Sequence, residues 1–254
     1  MIYVTGDCHS EFQKLGSDRF PEGKSLTKDD YVIICGDFGG VWYGEEDYTR
    51  RKTEDYWLDW LDEKPFTTLF VDGNHENHPR LAGYPEAEWY GGRVHKIRES
   101  VLHLMRGEVF EIGGKRIFAF GGAASHDISD GIIDGDEPDW RRQAMFMELE
   151  GKIMYRVKGI SWWEEELPTE EELAHGLERL AAYDNQVDAI ITHCTCTTLQ
   201  NKLLAEMSHP DRLTEYFEML RKSVEYDKWY FGHYHEDVDI TMNDVLLYHT
   251  IRPL

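Results

Sequence analysis

The chain has 254 residues, 41% of them hydrophobic and 13% aromatic, which suits one sizeable folded core and excludes intrinsic disorder. Its formal charge of −22, from 49 acidic against 27 basic side chains, repels polyanions, so no long nucleic acid is expected as a partner. No apolar run approaches the roughly 18 residues that span a bilayer, and "MIYVTGDCHS" lacks the basic and apolar regions of a leader, so a cytoplasmic protein with no membrane partner is expected.

In chain order, "IYVTGD" (2–7) and "YVIICGD" (31–37) read as strands that stop at turn residues. Residues 45–62 read as a helix with Trp57, Trp60 and Leu61 on one side, followed by a third strand, "FTTLFVDGN" (66–74). The stretch 94–122 reads as consecutive antiparallel strands, with "IGGK" (112–115) as a hairpin turn and "RIFAFGG" (116–122) as the last run. Residues 123–165 form the least regular region, and an irregular stretch of that length is expected to be functional. A helix follows over 169–183, with Leu173, Leu177, Leu180 and Ala181 on one face and a capping-box spacing between Thr169 and Glu172. Then come a strand ending in His193 (187–193), a helix over 211–222 with Leu213, Tyr216, Phe217 and Leu220 on one face, and strands at 228–233 and 244–251. Strands alternating with helices predict an α/β layered fold, with one mixed sheet or two facing sheets and helices outside. With no repeat, low-complexity tract or linker, residues 1–254 read as one domain.

Most strand ends carry a side chain that can bind metal. They are Asp7 and His9 ("GDCH"), Asp37 ("GDFGG"), Asn74 and His75 ("GNHE"), His193 ("THCT"), and His233 and His235 ("GHYH"). Loops at the carboxyl ends of strands converge in layered α/β folds, so these segments are expected to aim at one place. Asp, His and Asn without thiolate suit Mn²⁺, Fe²⁺, Zn²⁺ or Ni²⁺. Seven ligands are too many for one ion with an open position and about right for two divalent ions, which Asp37 can bridge through its two oxygens.

The order Asp-x-His, Gly-Asp, Gly-Asn-His-Glu, His, Gly-His-x-His, spread over residues 5–235, resembles the calcineurin-like metallophosphoesterase superfamily. The resemblance implies two mixed β-sheets packed as a sandwich flanked by helices, with a dimetal centre at the strand ends. It implies Asp7, His9 and His235 as ligands of one metal, Asn74, His193 and His233 as ligands of the other, and Asp37 as the bridge. His75 is similar to the non-ligand histidine that binds phosphate or protonates the leaving oxygen. A hydroxide between the metals is then the nucleophile, and no covalent intermediate is expected. One departure stands out: Gly40 and Val41 occupy the positions where many members, the Ser/Thr protein phosphatases among them, carry an Asp that orients the histidine and an Arg that contacts phosphate.

The expected substrate is therefore a small phosphodiester or nucleotide, with a phosphomonoesterase or Ser/Thr protein phosphatase as the alternative and an inactive scaffold behind both. His126, Asp127 and Arg142 are candidate substrate contacts, with Arg141 and Arg156 as further candidates, and Trp162 and Trp163 are candidate pocket walls. His78, His95, His103, His175, His209 and His249 have no motif context and read as structural. Glu76 stands between support of the site and an ordinary turn carboxylate, and Gly73 is expected to let the backbone turn tightly. Of the four cysteines, which suggest a reducing compartment, Cys8, Cys35 and Cys194 border proposed ligands, which makes oxidation sensitivity an expectation, through the thiols or through a ferrous ion.

Overall fold

The computed structural model describes residues 1–205 and 209–254. Its first half runs β1 (Ile2–Thr5), β2 (Tyr31–Ile34), α1 (Tyr48–Asp62), β3 (Thr67–Phe70), α2 (His78–Ala82), β4 (Glu86–Trp89), β5 (Gly92–Lys96), β6 (Val101–Leu104), β7 (Glu108–Ile112) and β8 (Lys115–Phe120). There follow β9 (Gly131–Asp134), α3 (Trp140–Leu149), β10 (Tyr155–Lys158), α4 (Glu170–Ala181), β11 (Gln186–Thr192), α5 (Thr197–Leu204) and α6 (Arg212–Ser223). The chain closes with β12 (Glu225–Phe231), β13 (Val238–Asp239), β14 (Asp244–Leu246) and β15 (Ile251–Pro253).

These strands build two mixed sheets, ordered β15-β1-β2-β3-β6-β5-β4 and β13-β14-β12-β11-β8-β7. In the first, β1, β2, β3 and β6 run parallel, β15 and β5 run antiparallel to them, and the edge strand β4 pairs antiparallel with β5. In the second, β8, β11, β12 and β14 run parallel. The expected α/β fold of two mixed sheets with helices is thus borne out. Between the sheets lies a core that joins Val4, Ile33, Leu69 and Leu102 of the first to Phe110, Ile117, Ala119 and Ile191 of the second. A second cluster seats α1 through Leu58 and Leu61 on the outer face of the first sheet, and a third seats α4 and α6 through Leu180, Leu213 and Phe217 on the other. Covering both faces explains why β2, "YVII", is buried at every position rather than alternating. Each fully buried side chain of this size contributes about 1.5–3 kcal/mol.

The predicted helices form with their signals intact. Thr169 accepts from the Glu172 N–H at 3.2 Å, and the Thr169 N–H donates back to the Glu172 carboxylate at 2.7 Å. The "IGGK" turn also forms: Gly113 and Gly114 take φ of 57° and 78°, the paired left-handed geometry that matches strand twist in a two-residue hairpin.

Three sequence expectations are corrected. Residues 94–122 are not one antiparallel run, because β6 pairs in parallel with β3 while β7 is an edge of the other sheet, and the chain changes sheets at 105–107. Residues 244–251 are two strands, split by a loop whose Tyr248, His249 and Thr250 N–H groups donate to Asp237. The 123–165 region is ordered: β9 and β10 pair in parallel, and α3 provides the crossover that parallel pairing requires. Its own small core of Ile133, Ala144 and Val157 is too slight for a sequence periodicity to reveal.

Candidate metal centre

Five loops at the ends of β1, β2, β3, β11 and β12 brace one another through the main chain. The Asp37 carbonyl accepts from the N–H groups of Cys8 and His9 at 3.0 and 2.8 Å, and the His193 carbonyl accepts from Gly232 at 2.9 Å. His9, Asp37, His233 and His235 hold φ of 45°, 40°, 71° and 54°, a left-handed backbone that non-glycine residues rarely adopt. Such conformations cost of order 1–3 kcal/mol each and persist where the surroundings over-determine them, which is characteristic of functional sites.

The structure brings all seven expected ligands together. Asp7, His9, Asp37 and His235 form one group and Asp37, His193 and His233 another, each with one ligand atom per residue within 4.8 Å of the others. Asp37 belongs to both. Asn74 joins the second group, its Oδ1 lying 3.2 Å from His193 Nε2. The arrangement fits a metal on chemical grounds. His193 Nδ1 lies 2.8 Å from the Cys35 carbonyl, which only an N–H can satisfy, so Nε2 presents a lone pair inward. That lone pair meets Asp37 Oδ1 at 3.2 Å and Asn74 Oδ1, which is turned inward because Asn74 Nδ2 donates to Ser125 Oγ at 3.3 Å. Oxygen and imidazole nitrogen ligand atoms that converge in this way suit a cation, either a proton or a metal.

The electrostatics agree. Burial would raise the Asp7 and Asp37 carboxyls, but His235 and His9 beside the first and His193 beside the second hold both well below the carboxylate range. Burial disfavours charge on His193 too, yet the Asp37 and Asp7 carboxylates outweigh it and push the imidazole up to about 10. The centre therefore demands positive charge, which bound metal would supply in place of that proton.

His75 stands beside the cluster. Its N–H donates to Asp37 Oδ1 at 2.8 Å, and its ring stacks on Trp42 with centroids 5.8 Å apart. Its Nε2 lies 3.0 Å from Arg156 Nη2. Burial, with Arg156 and His9 nearby, outweighs Asp37 and lowers His75 to about 4. A guanidinium only donates, so His75 Nε2 accepts and in this arrangement carries no proton to give.

Of the candidate substrate contacts, Asp127 pairs with Arg156 at 2.8 Å, and the His126 ring lies 5.5 Å from that of His233. Arg142 is a correction: it sits on α3 with a 69% exposed side chain and donates to Asp139, so the helix turns it to solvent. The arginine that reaches the centre is Arg156. Arg141 lies over the Trp140 ring. Trp163 is buried against Trp42 and forms part of the wall behind His75.

Supporting residues carry more than their sequence context indicated. Glu76 is buried and accepts from Phe38 N–H at 2.7 Å, which makes it a brace of the Asp37 loop. Lys14, unremarked in the sequence, is buried and donates to the carbonyls of Gly6, Asp7 and Tyr248. Glu54 of α1 accepts from the N–H groups of Trp42 and Tyr43 and pairs with Arg80, fixing Trp42 against His75. All four cysteines are buried, and burial pushes Cys8 and Cys196 up to about 11 and the others well above the usual thiol range. Buried protonated thiols react poorly with oxidants, so the thiol route to oxidation sensitivity is corrected.

Gly73 owes its place to space, not to turning. A Cβ there would overlap the Asp37 carboxylate and its backbone nitrogen. Gly73→Ala is expected to lower turnover by about 10²-fold through displaced geometry, with a smaller change in melting temperature; equal activity of variant and wild type would refute the close approach.

A sequence profile described as "Calcineurin-like phosphoesterase" matches residues 1–237. Curated relatives include a protein named Lariat debranching enzyme A from Xenopus laevis, 30% identical over 144 residues, which are 52% of this chain and 26% of that protein. Another, Lariat debranching enzyme from Danio rerio, is 29% identical over 144 residues, 52% of this chain and 24% of that protein. The matched region spans about a quarter of the length of either relative. Among the described residues, no helix is long and apolar enough to cross a membrane.

Proposed function

Because the chain belongs to the calcineurin-like phosphoesterase family, we propose that it is a phosphoric ester hydrolase that cleaves the P–O bond of a small phosphodiester or nucleotide at a dimetal centre. The carrying observation is the pair of ligand groups that share Asp37. Asp7, His9 and His235 would hold one ion, Asn74, His193 and His233 the other, and Asp37 would serve both. Two divalent ions bound there would supply a water of lowered pKa and neutralise phosphoryl oxygens. Mn²⁺, Fe²⁺, Zn²⁺ and Ni²⁺ all suit this oxygen and imidazole set.

The chain's own groups do the rest. Loop braces fix the ligand side chains before substrate arrives, so little reorganisation is left to the reaction. His75 Nε2 is occupied as an acceptor by Arg156, and the buried thiols of Cys8 and Cys35 stay protonated, which supports attack by water without a covalent intermediate. The charge of −22 supports a small substrate over a long polyanion, and Gly40 and Val41 weigh against a Ser/Thr protein phosphatase. A cytoplasmic location accords with the buried, unpaired cysteines.

The test is turnover of p-nitrophenyl phosphate against its bis-ester by metal-stripped protein given each of the four metals. Hydrolysis of the bis-ester at the higher kcat/KM is expected. Failure on both esters with every metal would contradict the reading.

A further inference from the structure

The excursion 127–163, which carries β9, α3 and β10, delivers one cation to the rim of the centre. Arg156 on β10 has a side chain only 9% exposed. Its Nε lies 2.9 Å from each Asp127 oxygen, its Nη1 donates to the Ser161 carbonyl at 3.0 Å, and its Nη2 lies 2.8 Å from Asp127 Oδ2 and donates to His75 Nε2 at 3.0 Å. The other basic side chains on the loops of the site are occupied elsewhere: Lys14 by three carbonyls, Arg80 by Glu54, Arg106 by Asp72. Stability gives no reason for a buried guanidinium here, since an apolar replacement of a buried ion pair is often neutral or better. Its fork does match a phosphoryl group, which takes two parallel N–H bonds. Because His75 Nε2 accepts, the hydrogen and positive charge offered on this side come from Arg156 and not from the histidine.

We propose that Arg156 binds the phosphoryl group of the substrate, with Asp127 as its positioning residue, so that the 127–163 excursion selects which phosphate esters the centre accepts. The inference rests on the phosphoester reading above. On substrate binding, the Nη2 hydrogen now on His75 and the uncommitted Nη1 hydrogen turn to phosphoryl oxygens, while Nε and the other Nη2 hydrogen stay on Asp127.

The probe is inorganic phosphate, titrated calorimetrically into the metal-loaded full chain, with turnover measured in parallel. Arg156→Ala is expected to weaken phosphate binding by about 10- to 100-fold, as loss of a charged hydrogen-bond pair does, with metal content unchanged. Millimolar guanidinium should recover part of that loss, and Arg156→Lys should recover less than the full affinity because an ammonium lacks the fork. Asp127→Asn should weaken binding by a smaller factor and raise KM more than it lowers kcat. Wild-type affinity in Arg156→Ala, or a wild type that binds no phosphate, would overturn the inference. If Arg156→Ala fails to fold by thermal melting, Asp127→Asn decides: weakened phosphate binding supports the inference and unchanged binding overturns it. A wild type that binds phosphate through Arg156 yet hydrolyses no ester would sink the hydrolase reading and leave this one standing.

Discussion

Asp37→Ala is expected to lower turnover by more than about 10³-fold, the several kcal/mol that metal stabilisation supplies to such reactions, and to leave the protein holding less metal than any other single ligand variant. The reason is position. Asp37 is a member of both ligand groups, whereas His235, with a 46% exposed side chain, serves one. Its carboxylate also accepts from the His75 N–H, so the substitution loosens His75 as well. The main-chain braces from Cys8 and His9 run to the Asp37 carbonyl and survive the change. The fold should therefore persist, and circular dichroism beside elemental analysis of bound metal would separate a lost centre from a lost structure. A variant that keeps full metal content would show that Asp37 does not bridge.

Arg106→Leu is expected to destabilise the protein by about 3–5 kcal/mol, the usual result of leaving a buried charge without its partner. Arg106 and Asp72 are both buried, with Arg106 Nε 3.0 Å from Asp72 Oδ2. Asp72 also meets His103 Nε2 at 3.2 Å, and His103 Nδ1 lies 2.9 Å from His95 Nδ1, so a chain of polar groups runs through the core behind the Asn74 loop. Urea unfolding should show a lower midpoint at an unchanged slope. Adding Asp72→Asn to the same protein should recover part of the loss, because the unpaired charge is then gone. A shift under 1 kcal/mol in the single variant would mean that water reaches Asp72.

What was legible in the sequence, and what was not, follows from the range of the interactions. Each ligand-bearing turn is announced locally, by an apolar run that stops at Gly-Asp, Gly-Asn-His, Gly-His or, for His193, Thr-His, and the parallel strands of the two sheets gather those turns at their carboxyl ends. Asp7, His9, Asp37, Asn74, His193, His233 and His235 could thus be picked out before any coordinates, and so could the capping box at Thr169. Arg156 could not be told from Arg142, because its role depends on pairing with Asp127 and His75, which lie 29 and 81 residues away in the chain. The β9–β10 pair was hidden by strands of four residues set among Gly and Asp, which individually favour turns. The jump between sheets at 105–107 left no local mark, since β6 and β7 read alike as apolar runs. His95 and His103, which lack motif context and read as structural, are members of a buried polar network.

The central claim is that one buried cluster, hinged on Asp37, holds two metal ions. Titration of stripped wild-type protein with Mn²⁺ or Zn²⁺, followed by calorimetry and elemental analysis, tests it most directly. Two ions per chain at saturation, with ester turnover appearing as the second binds, is the predicted result. Saturation at a single ion, or full turnover with one ion bound, would contradict it.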